Sequence, residues 1–232
     1  MIMAEANEKV EQTEKNEQAS KPEKKPKKRP YRTAQQCRPW YFWIYPIIWV
    51  IFRAVYGLKV YHRERIPEGA CVICPRHSGT ADPPMVAFAM KKKTYPRVMA
   101  KQELLDVPFI GWILYQIGVF GVQRGSNDMA SIKSGLKALR EGSKLMIFPE
   151  GTRVKEGEKP QAQTGAIMFA LKAGVPLVPV YLPRTKPFHQ VKVVFGEPYM
   201  PQIEGKRATP EEYRKLADEL LEKIYALESE IE

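Results

Sequence analysis

Residues 71–84 read CVICPRHSGTADPP, and this stretch decides the fold. The apolar run 71–74 predicts a buried strand, because short uninterrupted apolar runs are typical of strands covered on both faces. A polar loop with His77 follows, and Asp82 precedes two prolines and an apolar segment. An Asp followed by Pro at the first helical position predicts a helix N-cap at Asp82. His77 is therefore expected at the carboxyl end of a strand, where open α/β sheets bind ligands.

From residue 57 onward, short β-rich runs alternate with helical patterns. The predicted strands are 58–62, 71–74, 97–100, 117–122, 144–148, 177–181 and 191–195, and the predicted helices are 84–92, 109–115, 129–141, 162–173 and 210–228. Alternation of this kind predicts a single α/β domain, residues 57–232, with a largely parallel sheet of about seven strands flanked by helices.

Composition narrows the classes of protein further. The chain has 232 residues, 44% hydrophobic and 27% charged, which excludes a wholly disordered, collagenous or multi-span membrane protein. The net charge of +11 predicts an anionic partner, which is a nucleic acid, an acidic protein or a membrane surface. Cys71 and Cys74 would point to opposite faces of a strand. We therefore expect free buried thiols, no metal site, and a reducing, cytosolic compartment.

The first 56 residues divide into two segments. Residues 1–36 contain few large apolar side chains, so we expect a disordered tail, and residues 21–32 carry seven Lys or Arg against one Glu. Residues 39–52 are uncharged and half aromatic. Because they are too short to span a bilayer and rich in Trp and Tyr, residues 37–56 are predicted as an aromatic helix at the membrane interface. The alternative is a helix packed on the domain.

His77 and Asp82 form the first candidate site. Gly79 lets the intervening loop fold back, so that the carboxylate can reach the imidazole. A histidine held by a carboxylate through one nitrogen can use the other as a general base toward an alcohol. Two alternatives remain: Asp82 caps the helix while His77 is solvated, or Ser78 acts as a nucleophile beside His77.

The second candidate site is LMIFPEGTR, residues 145–153, in which an apolar strand runs into polar residues. Gly151 permits a tight turn, after which Thr152 and Arg153 can donate hydrogen bonds to a phosphate. Glu150 can accept from a hydroxyl or brace Arg153, and a surface Glu–Arg salt bridge is the alternative. Lys101 and Arg124 follow two further predicted strands, which brings more cations to the same edge of the sheet.

Four sequence blocks together resemble the glycerolipid acyltransferases, most closely the bacterial 1-acylglycerol-3-phosphate acyltransferases. His77 and Asp82 match a block in which four residues separate His from Asp, and the segment from Lys101 to Arg124 matches the second block. The sequence FPEGTR at 148–153 matches the third block, and VPLVPV at 175–180 matches the fourth. The resemblance covers roughly residues 57–200 and implies the glycerolipid acyltransferase fold.

The resemblance also implies a reaction. His77 would deprotonate the sn-2 hydroxyl of a lysophosphatidic acid while Asp82 orients it, and the oxygen would attack an acyl thioester. Acceptor binding would use a set of residues near the phosphate: Lys101, Arg124, Glu150, Gly151, Thr152 and Arg153. The product would be phosphatidic acid, the acyl donor would be acyl carrier protein or coenzyme A thioester, and no metal or bound cofactor is implied.

These implications place the protein on the cytoplasmic face of the cell membrane, with an anionic lipid surface rather than a nucleic acid as its partner. Arg76 departs from the family pattern, which usually has Asn before the catalytic His, and Arg76 could add a phosphate contact. Two alternative functions remain: acyl transfer to glycerol 3-phosphate or another lysophospholipid, and a non-catalytic protein that binds membranes or nucleic acid.

Overall fold

The computed structural model describes residues 29–90, 94–123, 128–154, 157, 160–184, 186–205 and 207–231. Its strands are β1 (Gly57–Tyr61), β2 (Cys71–Pro75), β3 (Pro96–Lys101), β4 (Phe120–Val122), β5 (Lys144–Met146), β6 (Leu177–Tyr181) and β7 (Gln190–Phe195). The α-helices of the described part are α1 (Ala34–Val55), α2 (Asp82–Ala89), α3 (Gln102–Asp106), α4 (Ile110–Gln116), α5 (Met129–Arg140), α6 (Gly165–Ala173) and α7 (Pro210–Ala226). Short 3₁₀ turns occupy Arg63–Arg65 and Leu227–Glu230.

All seven strands form one sheet in the order β1-β7-β6-β2-β5-β3-β4. Every neighbouring pair is parallel except β6 and β7, which are antiparallel. The predicted α/β class with a largely parallel seven-stranded sheet is confirmed. The carboxyl ends of β2, β5, β3 and β4 consequently meet at one edge, and this edge positions the candidate site.

Two apolar clusters cover the two faces of the sheet, as a parallel sheet requires. Cys74 of β2 contributes to the cluster that contains α6 and α7, whereas Cys71 contributes to the cluster that contains α2. Both thiols are buried and free, and they lie on opposite faces as predicted. Burial raises the pKa of Cys71 to about 12, so this side chain remains a neutral thiol at ordinary pH.

Helix α1 packs one side on the domain and exposes the other. Cys37 and Tyr41 are buried, and the ring of Tyr41 lies 5.0 Å from that of Tyr95. The buried guanidinium of Arg97 on β3 donates to Cys37 Sγ at 3.5 Å and to the Arg32 carbonyl at 2.8 Å. The start of α1 is therefore tied to the sheet.

The boundary predicted between a disordered tail at 1–36 and a helix at 37–56 lies three residues too late. Thr33 and Gln36 form a capping box, which starts the helix at Ala34, and the helix continues through Pro39 and Pro46. Most of the predicted tail, residues 1–28, lies outside the described residues. Among the residues that are described, no helix combines the length and the apolar character needed to cross a membrane.

The bounds of the other helices and strands differ from the predicted bounds by a few residues, and two elements differ more. The strand predicted at 117–122 begins only at Phe120, because Gly118 adopts a positive φ of 84° in a turn. A Cβ at this position would also meet the Tyr95 hydroxyl and the Arg97 guanidinium. Helix α3, which follows β3 directly, was not predicted; it continues from Lys101, the residue that ends the strand.

Candidate active site

His77 and Asp82 meet at the carboxyl end of β2. His77 Nδ1 donates to Asp82 Oδ2 at 3.1 Å, and the Asp82 side chain is fully buried while that of His77 is 17% exposed. The same carboxylate oxygen accepts from the main-chain N–H groups of Ser78 and Gly79, both at 2.6 Å. Asp82 therefore fixes the orientation of the imidazole and leaves Nε2 as the nitrogen that can act on a substrate.

The predicted N-cap role of Asp82 is wrong. Asp82 is the first residue of α2, Ala81 is the N-cap, and the Asp82 carboxylate turns back to the preceding loop. A carboxylate at an N-cap binds the N–H of the second or third helical residue; after Asp82, Pro84 has no N–H, and the Met85 N–H donates to the Ala81 carbonyl at 3.0 Å. The Asp82 carboxylate instead binds the His77 loop.

The loop after β5 holds His77 from three sides. Glu150 Oε2 accepts from the His77 N–H at 2.7 Å, and the His77 carbonyl accepts from the Val154 N–H at 2.9 Å. The ring of Phe148 lies 4.2 Å from the imidazole. Gly151 makes the turn possible with a φ of +70°, and a Cβ there would lie 2.9 Å from the side chain of Gln163. The predicted tight turn at Gly151 is confirmed.

Glu150 is a buried carboxylate, only 4% exposed, with protein donors on both oxygens. Its second oxygen accepts from the Tyr225 hydroxyl at 3.1 Å. Burial raises the pKa of Glu150 to about 7, although the hydrogen bonds from His77 and Tyr225 and the nearby positive charge of Arg76 act in the opposite direction. This arrangement braces the His77 loop, and a direct acceptor contact by Glu150 remains a prediction.

The contacts of Arg76 differ from those of the phosphate ligand that the sequence suggested. Its guanidinium lies over the rings of Tyr181 and Tyr225, 5.4 Å from each centroid. Nε donates to the Tyr225 hydroxyl at 3.4 Å and Nη1 to the Leu182 carbonyl at 3.3 Å. Arg76 is therefore part of the frame behind the site. Tyr225, the residue that sequence reasoning missed, lies 149 positions away from Arg76, and no motif marks it.

The predicted cations that the structure describes are more exposed than His77. Thr152 and Arg153 are exposed, next to Val154, whose N–H donates to the His77 carbonyl. Lys101 ends β3 at the same edge of the sheet and forms an ion pair with Glu103 at 3.0 Å, with more than half of each side chain exposed. Arg124 lies outside the described residues, although β4, which precedes it, ends beside Lys101.

Ser78 does not fit the alternative role of nucleophile. Its main-chain N–H donates to Asp82, and its Oγ is buried without a hydrogen-bond partner in the described part of the chain. A serine nucleophile requires its hydroxyl to bond to the base. The arrangement instead offers an imidazole nitrogen to a hydroxyl supplied from outside, beside exposed cations that suit an anion.

Comparisons with known proteins show the family of the chain. The family model described as Acyltransferase matches residues 57–183, which hold His77, Asp82 and the 148–153 block. The chain belongs to the acyltransferase family. A 1-acyl-sn-glycerol-3-phosphate acyltransferase of Pseudomonas aeruginosa is 31% identical over 183 residues, which cover 73% of this chain and 70% of that protein. A protein of the same name from Bacillus subtilis is 30% identical over 184 residues, covering 76% and 90%.

A solved acyltransferase structure shares the fold. The 1-acyl-sn-glycerophosphate (LPA) acyltransferase of Thermotoga maritima superposes with a TM-score of 0.58 at 23% identity, covering 84% of this chain and 78% of that protein. The predicted glycerolipid acyltransferase fold is thus confirmed for the sheet and its flanking helices.

Proposed function

We propose that this acyltransferase transfers an acyl group from a thioester to the sn-2 hydroxyl of 1-acyl-sn-glycerol 3-phosphate, giving phosphatidic acid. The observation that carries the proposal is His77, whose Nδ1 lies 3.1 Å from the buried Asp82 carboxylate. The names of the relatives from Pseudomonas aeruginosa and Bacillus subtilis support the same acceptor.

In the proposed reaction, His77 Nε2 takes the proton of the acceptor hydroxyl as its oxygen attacks the thioester carbonyl carbon. The carbonyl oxygen becomes an oxyanion, the tetrahedral intermediate collapses, and the C–S bond breaks. The proton on His77 then passes to the departing thiolate, which restores the neutral imidazole. Asp82 favours the transient imidazolium, and general-base help of this type contributes about 10²–10⁴-fold to the rate.

Acceptor binding is assigned to the cations at the edge of the sheet. The guanidinium of Arg153 can hold a phosphate through two parallel hydrogen bonds, with Lys101, Arg124 and Thr152 as further donors. Holding the phosphate confines the glycerol hydroxyl to the neighbourhood of His77 and thereby lowers the entropic part of the barrier. The proposed acyl donor is a thioester of acyl carrier protein or of coenzyme A, and no metal or bound cofactor is proposed.

The protein is proposed to work on the cytoplasmic face of the cell membrane, where its lipid acceptor resides. The outer side of α1 supports this, since Trp43 is 78% exposed and Ile47 is 63% exposed. Helix α4 extends this apolar surface, because Trp112 packs edge-on against Trp40 with ring centroids 5.4 Å apart. Exposed Trp beside aliphatic side chains is typical of segments that rest in the headgroup region.

One assay tests the reaction. Purified protein is given lysophosphatidate with acyl-carrier-protein and coenzyme A thioesters in turn, and phosphatidic acid is measured. Glycerol 3-phosphate and other lysophospholipids run in parallel. We expect lysophosphatidate to be the fastest acceptor. A faster rate with glycerol 3-phosphate would assign the chain to the neighbouring reaction, and no transfer to any acceptor would contradict the proposal.

A second experiment tests the membrane surface. The double substitution of Trp43→Ser and Ile47→Ser should reduce sedimentation with anionic vesicles at least several-fold, because it removes two large apolar contacts. Met200→Ser, a change at an exposed apolar residue after β7, is the matched control. Removing the whole of α1 would be a poorer test, since Cys37 and Tyr41 belong to a buried cluster. Unchanged sedimentation of the double variant would rule out this surface.

A further inference from the structure

Behind the His77 loop, hydrogen bonds link Arg76, Tyr225, Glu150 and His77 in that order, and we call this set of contacts the circuit. Arg76 Nε donates to the Tyr225 hydroxyl, Tyr225 donates to Glu150 Oε1, and Glu150 Oε2 accepts from the His77 N–H. The circuit closes through the peptide bond that joins Arg76 to His77. It therefore fixes the main chain at the base independently of the Asp82 contact to the imidazole.

From this circuit we infer that Tyr225, on the last turn of α7, is a positioning residue for the His77 base, acting through Glu150. The inference rests on the proposed acyl transfer and adds to it a residue outside the matched segment 57–183. Tyr225 has no role in binding substrate in this proposal. Its hydroxyl keeps the Glu150 carboxylate turned toward the His77 N–H, and with it the direction of the imidazole.

The contacts around Tyr225 direct its hydroxyl to donate to Glu150, which favours the ionised form of that carboxylate. The Arg76 guanidinium lies over the Tyr225 ring and donates to its hydroxyl, which directs the phenol proton toward Glu150. Behind Arg76, the Tyr181 hydroxyl donates to Glu228 at 2.5 Å, and the Tyr181 and Tyr225 rings lie 6.2 Å apart. Within the described residues, the Tyr225 hydroxyl bonds to Arg76, which precedes His77, and to Glu150, which binds the His77 N–H.

A pH dependence follows from the same contacts. Arg76 and His77 face Glu150 from the end of β2, and Tyr225 faces it from α7. An ionised Glu150 accepts from both His77 and Tyr225, whereas protonation turns one of its oxygens into a hydroxyl donor, so acid weakens the circuit and lowers the rate. The Tyr225 hydrogen bond lowers the pKa of Glu150 against the effect of burial. Removing the hydroxyl should therefore move the acid limb of the rate profile to higher pH.

The test is Tyr225→Phe, which keeps the ring and removes the hydroxyl. We expect kcat for lysophosphatidate to fall about tenfold with little change in KM, since a positioning hydrogen bond to a charged group is lost. The acid limb of kcat should move to higher pH. In a Glu150→Gln background the same substitution should leave the acid limb unmoved. Tyr213→Phe, a half-buried tyrosine on the same helix, is the matched control.

A structural brace without a role in positioning would give a different result: a lower melting temperature for Tyr225→Phe with an unmoved acid limb, and this result would overturn the inference. The wild-type rate reports on the proposed reaction separately. If the wild type transfers no acyl group, a ¹³C NMR titration of the Glu150 carboxyl, assigned with Glu150→Gln, decides instead. A higher midpoint in Tyr225→Phe supports the inference, and an unchanged midpoint refutes it.

Discussion

His77, the proposed base, and Arg153, a proposed phosphate ligand, lie in neighbouring loops, yet the protein holds them in opposite ways. The His77 carbonyl accepts from the N–H of Val154, the residue directly after Arg153. His77 is fixed through its ring by the buried Asp82 and through its main chain by Glu150. Arg153 is exposed, and Lys101 is paired only with a neighbouring surface carboxylate among the described residues.

This difference follows from what each group has to do. A general base must meet a proton within a few tenths of an ångström, so its geometry is best set before the substrate arrives. A phosphate is larger and multiply charged, and flexible cations can close around it. Ordering those cations on binding costs side-chain entropy. The base should therefore control kcat, while the cations should control the acceptor KM.

The largest expected effect is at His77, the more tightly held of the two groups. His77→Ala removes the base and should lower kcat by about 10²–10⁴-fold with lysophosphatidate as acceptor. The melting temperature should change little, because the backbone contacts of His77 to Glu150 and Val154 do not need the ring. The measurement is steady-state kinetics with a thermal melt on the same sample. A variant that retains near-normal kcat would remove His77 from the mechanism.

The second prediction concerns the cost of burying Glu150. Its pKa of about 7 in the folded protein lies above the ordinary value of 4.5, so the folded state binds the proton more tightly than the unfolded chain does. This contribution to stability is fully present below pH 4.5 and is lost as pH rises toward 7. The expected loss is on the order of 3 kcal/mol.

Glu150→Gln tests this sign directly. The variant should lose less stability than the wild type between pH 5 and pH 7.5, measured by urea unfolding at each pH, whatever its absolute stability. Glu222→Gln, a change at an exposed position on α7, should reproduce the wild-type slope. Equal slopes for wild type and Glu150→Gln would mean that Glu150 is ionised throughout this range.

Much of the structure around His77 could be predicted from local sequence. The apolar run at 71–74 followed by a polar loop placed His77 at a strand end, and LMIFPEGTR at 145–153 did the same for Glu150. Because parallel strands share one edge for their carboxyl ends, the two loops had to converge. The pairing of Asp82 with His77 was predicted as well, although the Asp-Pro-Pro pattern was wrongly interpreted as an N-cap at Asp82, where the structure has Ala81 as the N-cap.

Other features depend on contacts that no local pattern specifies. Tyr225 reaches Glu150 from a helix 75 positions later in the sequence, and the sequence of α7 reads as an ordinary amphipathic helix. The start of α1 is a different case: the pattern of Thr33 and Gln36 is a capping box that local sequence does encode, and the composition argument for a disordered tail overrode it.

The smallest expected effect is at the exposed cations Arg153 and Lys101. Arg153→Ala should raise the KM for lysophosphatidate about tenfold and change kcat less than threefold, because an exposed guanidinium contributes at the lower end of the range for charged hydrogen bonds. Arg153→Lys should recover part of this loss, since it keeps the charge without the two-pronged geometry. Lys101→Ala should have a weaker effect, because Lys101 already shares its charge with Glu103 at 3.0 Å. Arg140→Ala, at an exposed position on α5, is the control. If Arg153→Ala instead lowered kcat as strongly as His77→Ala, Arg153 would have to act on the transition state, and the division between a preformed base and adaptable cations would fail.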